Sequence, residues 1–257
     1  MHRRNLTIAA PLGFLVIFAI LWEYAPVWFD IPDYILPQLS KVIPIYFDPS
    51  ALRLYLRNAL VTLQEAGFGL VVGAGLGFIC ALLLTESRLL MSTFYPYIIA
   101  LQCMPKVALA PLLVIWFGFG MTSKIVIVAL LCFFPVLVNT ISGIRSVSAE
   151  HLELFRAIRA SRLTRLIHLV IPAALPSIMT GLELAIVVSL LGAIVGEFVG
   201  AEEGLGVLLL QAQFQMNIPG VFAVLGILAL LGVIFNLTIR YVRRKSLFWI
   251  AGETGKL

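Results

Sequence analysis

Apolar residues in this chain gather into long, uninterrupted runs set apart by short polar segments. Crossing a bilayer as a helix takes about 20 such residues. Suitable runs are Leu6–Trp22, at the short end of the range, then Leu60–Leu84, Tyr95–Phe117, Ile125–Ile141, Ser177–Val199 and Val221–Tyr241. The pattern predicts six transmembrane helices and an all-α, polytopic membrane protein. Strands of a β-barrel would be about ten residues long with alternating polarity, unlike these. Two stretches break the pattern. Ala25–Arg57 carries Asp30, Pro32, Asp33, Pro37, Lys41, Pro44, Asp48 and Pro49, which predicts an extra-membrane connector with room for one short amphipathic helix. Gly143–His168 is polar and rich in arginine, and structureless loops of that length tend to be functional.

Composition agrees with this pattern and narrows the function. Of the 257 residues, 61% are hydrophobic and 12% charged, with a mean hydropathy of +1.05. Soluble domains run at roughly 45–50% and about 25%. One core could not bury this much apolar surface, so soluble enzymes, disordered tails and disulfide scaffolds are excluded. The net charge of +5 is chiefly a topological signal. Lys41, Arg53, Arg57, Lys106 and Lys124 fall on one side or within spans, leaving 13 of the 18 basic residues on the side of the N-terminus. Basic residues mark cytoplasmic loops, so both termini are placed in the cytoplasm, and a nucleic-acid partner is not expected. Met1–Trp22 has the outline of a signal peptide but lacks a small-x-small cleavage site, and is read as a retained helix. Cys80, Cys103 and Cys132 match no redox or metal spacing and read as packing residues.

Two glycine stripes recur every four residues: Gly69, Gly73 and Gly77, then Gly192, Gly196 and Gly200. Such stripes let helix backbones approach closely in lipid, either for packing alone or so that one bundle can rock against another. Ionisable groups at membrane depth are candidate pathway residues: Glu65, Lys106, Glu183 and Glu197, with Gln102 and Gln64 adding polarity. Glu65 and Glu197 also fit interfacial carboxylates near headgroups. Lys106 follows Pro105, with Pro111 beyond, and irregular backbone at depth survives only beside a cavity or inside protein. Lys106 therefore either faces an aqueous pathway or pairs with a carboxylate such as Glu183. No catalytic residue and no metal site is identified. His2, His151 and His168 do not cluster, and nucleophile elbow, HExxH and P-loop are all absent. Any energy source must be hydrolysed by another chain.

The Gly143–His168 loop holds Glu153-Leu-Phe-Arg-Ala-Ile-Arg-Ala-Ser-Arg162, followed by Ile171-Pro172-Ala-Ala-Leu-Pro176. Arg156, Arg159, Arg162 and Arg165 are spaced by three, which on one helix would give a broad basic face. Leu152, Phe155 and Ile158 would line an apolar stripe beside it, and Pro172 and Pro176 would punctuate the return into the bilayer. A short amphipathic helix of this kind suits anionic headgroups or a docking partner.

These residues resemble the EAA loop of binding-protein-dependent ABC importer permeases. Glu153 matches the family glutamate, Ala160-Ser161 the tail of its first half, and Ile171–Pro176 its return into the membrane. Leu154 and Phe155 stand where the family has alanines, and Arg159 where it has a glycine that allows a close backbone turn. Arg159 must adopt that turn at some cost or alter the contact. Further stretches resemble the nitrate, taurine and alkanesulfonate subgroup, in order: Leu36-Pro-Gln-Leu-Ser-Lys-Val42, Met104-Pro-Lys-Val-Ala-Leu-Ala-Pro-Leu112, Trp116-Phe-Gly-Phe-Gly120, Phe133-Phe-Pro-Val-Leu-Val-Asn139, Gly181-Leu-Glu183, Glu197 and Gly204-Leu-Gly206.

The resemblance implies a type I importer permease of MetI-like architecture in a bacterial inner (plasma) membrane. Residues 1–57 would form the first helix and periplasmic connector, 58–245 the permease domain and 246–257 a cytoplasmic tail. It implies two ATPase subunits, a substrate-binding protein and a second permease chain, the last as a homodimer. The ATPase would be coupled through Glu153, Phe155, Arg156, Arg159, Ala160, Ser161, Pro172 and Pro176. The permease would be no enzyme and carry no cofactor, since ATP binds the partner. Expected substrates are sulfonates, nitrate, taurine or vitamin precursors. The alternative is an ion-coupled secondary transporter using the intramembrane charges as a relay.

Overall fold

The structure, a computed structural model, describes residues 2–247, with side chains from Gly13 onward. The side chains of His2, Arg3 and Arg4, and the tail from residue 248 with Lys256, lie outside that description. Eleven α-helices follow one another among the described residues: α1 (His2–Trp28), α2 (Leu39–Val42), α3 (Pro49–Thr85), α4 (Arg88–Cys103), α5 (Ala110–Phe117), α6 (Met121–Arg145), α7 (Ala149–Ala157), α8 (Arg162–Arg165), α9 (Ile171–Gly200), α10 (Leu205–Phe214) and α11 (Ile218–Ser246). The all-α expectation holds. Among the described residues, four stretches are long and apolar enough to cross a membrane: Pro49–Thr85, Met121–Arg145, Arg162–Gly200 and Ile218–Ser246. A fifth is obtained if α4 and α5 count as one broken span, while the apolar helix Gly13–Trp28 is shorter.

Tyr95–Phe117 is not the single helix expected. Residues Arg88–Cys103 and Lys106–Phe117 meet at 84°. Pro105 supplies no N–H and forces Met104 before it into an extended conformation (φ −70°, ψ 138°). Pro111 does not break the chain again. It sits in the first turn of α5, where a helix needs no donor. The connector is also shorter than expected, because α3 already starts at Pro49. Asp48 caps it, its Oδ1 accepting from the Ser50 N–H at 3.0 Å, and the Ser50 hydrogen bonds hold the Asp48 carboxyl below its usual range.

The chain forms two compact units. The first comprises the chain up to Leu60 with Glu203–Ala229. There the Trp22 indole donates to the Pro37 carbonyl at 3.0 Å and packs on Phe222 with ring centroids 5.5 Å apart. The Tyr46 hydroxyl donates to the Ala223 carbonyl at 2.9 Å. Gly204, at φ +130°, is in a conformation open chiefly to glycine, and its N–H donates to Asn58 Oδ1 at 2.7 Å. Lys41 pairs with Asp33, and Arg57 with Glu203.

The second unit comprises Val61–Glu202 and the chain from Leu230 on. Its centre is α6, with α3 on one side and α9 on another. Ala66, Val128, Cys132, Val136, Ala185 and Ala193 form a fully buried cluster between these three helices. Both glycine stripes turn out to face α6, except at Gly200, where a Cβ would meet Phe119 Cδ1 at 2.5 Å. A Cβ on Gly73 would lie 2.3 Å from the Ala129 carbonyl oxygen, and one on Gly192 would lie 2.8 Å from Leu131 Cδ1. Small residues thus bring three helices to backbone contact, as helix association in lipid favours.

Candidate functional site

Three features of the second unit collect the polar residues singled out by sequence. The first is a buried network joining α3, α6 and α9. Lys124 Nζ stands 2.9 Å from Glu65 Oε1, and the Thr62 hydroxyl donates to Glu197 Oε1 at 2.6 Å. The four side chains belong to residues no more than 5% exposed. Glu65 and Glu197 are therefore enclosed by protein, which corrects their reading as interfacial carboxylates. Gly196 makes room for the lysine, since a Cβ there would meet Lys124 Cγ at 3.2 Å. Sequence reasoning missed Lys124 as a partner. It lies in the first turn of α6, one residue before the apolar run, where a lysine reads as an outer-loop charge. The carboxylates at depth were the available signal, because an uncompensated buried charge is costly enough to demand a cation.

The second feature is the break between α4 and α5. Lys106 Nζ donates to the Gln102 carbonyl at 2.8 Å and lies 4.6 Å from the centroid of the Phe134 ring. The lysine thus satisfies a carbonyl that the helix end leaves open and places its charge at the negative end of α4, with a cation–π contact beneath. The Gln102 side chain is exposed. Lys106 does not pair with Glu183. That carboxylate instead takes both its hydrogen bonds from Arg243 Nη1, each 3.0 Å.

The third feature is the arginine-rich segment. It is nearly all helical, because α6 runs to Arg145 and α7 starts at Ala149. Ser148 caps α7, its hydroxyl accepting from the His151 N–H. Glu150 is the acid of the first turn, with Glu153 one turn further on and exposed. The expected single basic face is not formed, because α7 stops at Ala157. Arg159 adopts φ +53°. Its N–H donates to the Arg156 carbonyl at 2.9 Å, and the Ala160 N–H to the Phe155 carbonyl at 3.0 Å. These two bonds make a Schellman stop, with arginine at the position that glycine usually fills. Arg159 therefore takes the close turn instead of abolishing it. Ser161 then caps α8, accepting from the Thr164 N–H at 3.1 Å. The apolar stripe also differs from expectation. Leu152 and Phe155 are half-buried against the body, whereas Leu154 and Ile158 project, 56% and 65% exposed.

Pro172 and Pro176 do not interrupt the return. Helix continues from Arg162 to Gly200, absorbing Pro172 through a π turn at Leu166–Val170 in which the Ile171 N–H reaches back to the Leu166 carbonyl.

A broken span, a bundle pinned through its small residues and an exposed, capped helix pair between two long spans are features of a membrane transport subunit, and comparison with known proteins gives its family. The model of the family described as "Binding-protein-dependent transport system inner membrane component" matches residues 73–247. The formylaminopyrimidine transport permease protein ThiX of Halalkalibacterium halodurans is 34% identical, covering 96% of this chain and 98% of the relative. The putative aliphatic sulfonates transport permease protein SsuC of Bacillus subtilis is 34% identical over 74% and 68%. Among solved structures, a chain in crystals of the MetNI methionine ABC transporter superposes with a TM-score of 0.69 at 19% identity, covering 77% of this chain and 99% of that one. The chain belongs to the binding-protein-dependent transport system inner membrane component family. It is a permease component of the ABC type, of the nitrate, taurine and sulfonate subgroup, with the MetI-like helical fold.

Proposed function

We propose that the chain is the transmembrane half of an ATP-driven importer for a small organic or anionic solute. A binding protein would deliver the solute, and a separate ATPase would drive release. The substrate class is sulfonate, nitrate, taurine or vitamin precursor, in keeping with the names of relatives that carry formylaminopyrimidine and aliphatic sulfonates. The permease works as a homodimer with both termini in the cytoplasm.

The observation that carries the reading is the α7–α8 segment. Two side-chain caps and a left-handed Arg159 hold a short helix that presents Leu154 and Ile158 with charges around them. An apolar pair in such a setting is the signature of a docking surface. Closure of the ATPases would move α7–α8, and the unbroken helix from Arg162 to Gly200 would carry that motion into the membrane. Binding protein and ATP thereby bias a two-state bundle. Glu65, Lys124, Glu183 and Lys106 each hold a partner within the fold, which supports a pinned bundle over an ion relay.

The test is Glu153→Arg combined with Arg159→Glu. The expected result is membrane insertion as in the wild type, with uptake uncoupled from ATP hydrolysis. Undiminished uptake would sink the assignment of this segment to coupling.

A further inference from the structure

The arginine-rich end of the second unit forms an open-mouthed cavity of about 790 Å³ that the transport reading leaves unused. Its wall is assembled from separated pieces of sequence: the turn into α4, the end of α6, α7, and α8 with the π turn behind it. Arg88, Arg145, Arg156, Arg162 and Arg165 all line it, and Glu86 is the one carboxylate in the lining. Among the described residues the ion pairs are Lys41–Asp33, Arg57–Glu203, Lys124–Glu65 and Arg243–Glu183, so none of the five arginines has a carboxylate partner. Five guanidinium groups against one acid leave a strong positive field around a single space, and low-dielectric walls intensify such a field. α4 starts at Arg88 on the rim, and its positive end adds to it.

The rest of the wall is mixed: Thr85, Ser87 and Ser92 add hydroxyls, and Met91, Ile144, Leu166 and Val170 form an apolar part. Guanidinium groups match the geometry of phosphate oxygens better than ammonium groups do. Basic pockets between helices at the cytoplasmic end of a membrane protein suit phospholipid headgroups. We propose that this cavity binds a phosphate-bearing anion, the headgroup of an anionic phospholipid, with its first acyl carbons on the apolar part of the wall. Arg88 opens α4 and Arg145 ends α6, whereas Arg156 sits on α7 and Arg162 and Arg165 on α8, at the start of the helix that runs to Gly200. A phosphate among them neutralises their mutual repulsion and ties the docking segment to the bundle. Headgroup binding requires that this end of the bundle face the cytoplasm and does not require ATPase docking, so the two can fail separately.

The test is binding to the purified full-length permease by native mass spectrometry, titrating phosphatidylglycerol against phosphatidylcholine, with inorganic phosphate in a separate arm. Phosphatidylglycerol is expected to bind selectively. Arg88→Gln with Arg145→Gln should weaken it about 30-fold, as expected for two lost cations beside an anionic headgroup. Arg240→Gln with Arg244→Gln, outside the cavity, should change nothing. Arg88→Lys with Arg145→Lys keeps the charge, guards against misfolding and should weaken binding only a few-fold. Equal phosphatidylglycerol binding by wild type and the Gln pair would overturn the proposal, as would equal loss in the Arg240/Arg244 control. Binding of inorganic phosphate without phosphatidylglycerol would also overturn it, making a free anion the occupant.

Discussion

Gly73→Ala should destabilise the bundle although alanine is the better helix former. The added Cβ would stand 2.3 Å from the Ala129 carbonyl oxygen, 2.8 Å from its Cα and 2.9 Å from its carbonyl carbon. All three are backbone atoms of α6 and cannot rotate away. Ordinary contact begins at 3.4 Å, so α3 and α6 must separate by about 1 Å, a gap that forfeits a quarter to a half of each dispersion contact along the seam. Overpacking of this kind costs about 1–3 kcal/mol. A Cβ on Gly75, two residues away on the same helix, would meet nothing within 4 Å. Gly75→Ala should therefore be neutral or stabilising by up to about 1 kcal/mol, the helix-propensity difference. The assay is reversible denaturation of both variants in one detergent, followed by circular dichroism. The expected gap between them is about 1–4 kcal/mol. Equal stability would refute the backbone contact between α3 and α6.

Further outcomes follow from the polar groups. Lys124→Met leaves the Glu65 carboxylate buried without its cation and should cost about 3–5 kcal/mol in the same assay. Adding Glu65→Gln should recover most of that loss, and additive losses would show that the two are not coupled. Arg159→Gly should relieve a left-handed backbone cost of about 1 kcal/mol and slow hydrogen exchange at the Ala160 amide about fivefold. Unchanged or faster exchange would contradict the Schellman stop.

The long spans were legible because lipid enforces continuous apolar helix, and the two glycine stripes announced close contacts. The identity of their common partner, α6, was not legible, since nothing in a stripe says which neighbour it meets. Lys124 escaped notice because position relative to an apolar run indicates depth, not what encloses a side chain. The arginine spacing misled for a local reason. Periodicity assumes one helix, and Ile158-Arg159-Ala160-Ser161 ends one and caps the next. Ser161 followed by Thr164 was the available cap signal. The cavity was invisible in sequence because Arg88 and its neighbours in the turn into α4 come from a segment more than 50 residues before the docking loop. The 84° bend was half legible: Pro105 and Pro111 marked irregular backbone, but only geometry separates a proline that breaks a helix from one that starts it.

The central claim is that this bundle moves its solute on energy delivered from another chain. Proteoliposomes containing the permease, with and without the cognate ATPase and binding protein, test it directly. The account predicts uptake only when ATPase, ATP and binding protein are all present. Uptake driven by a pH gradient with the permease alone would contradict it.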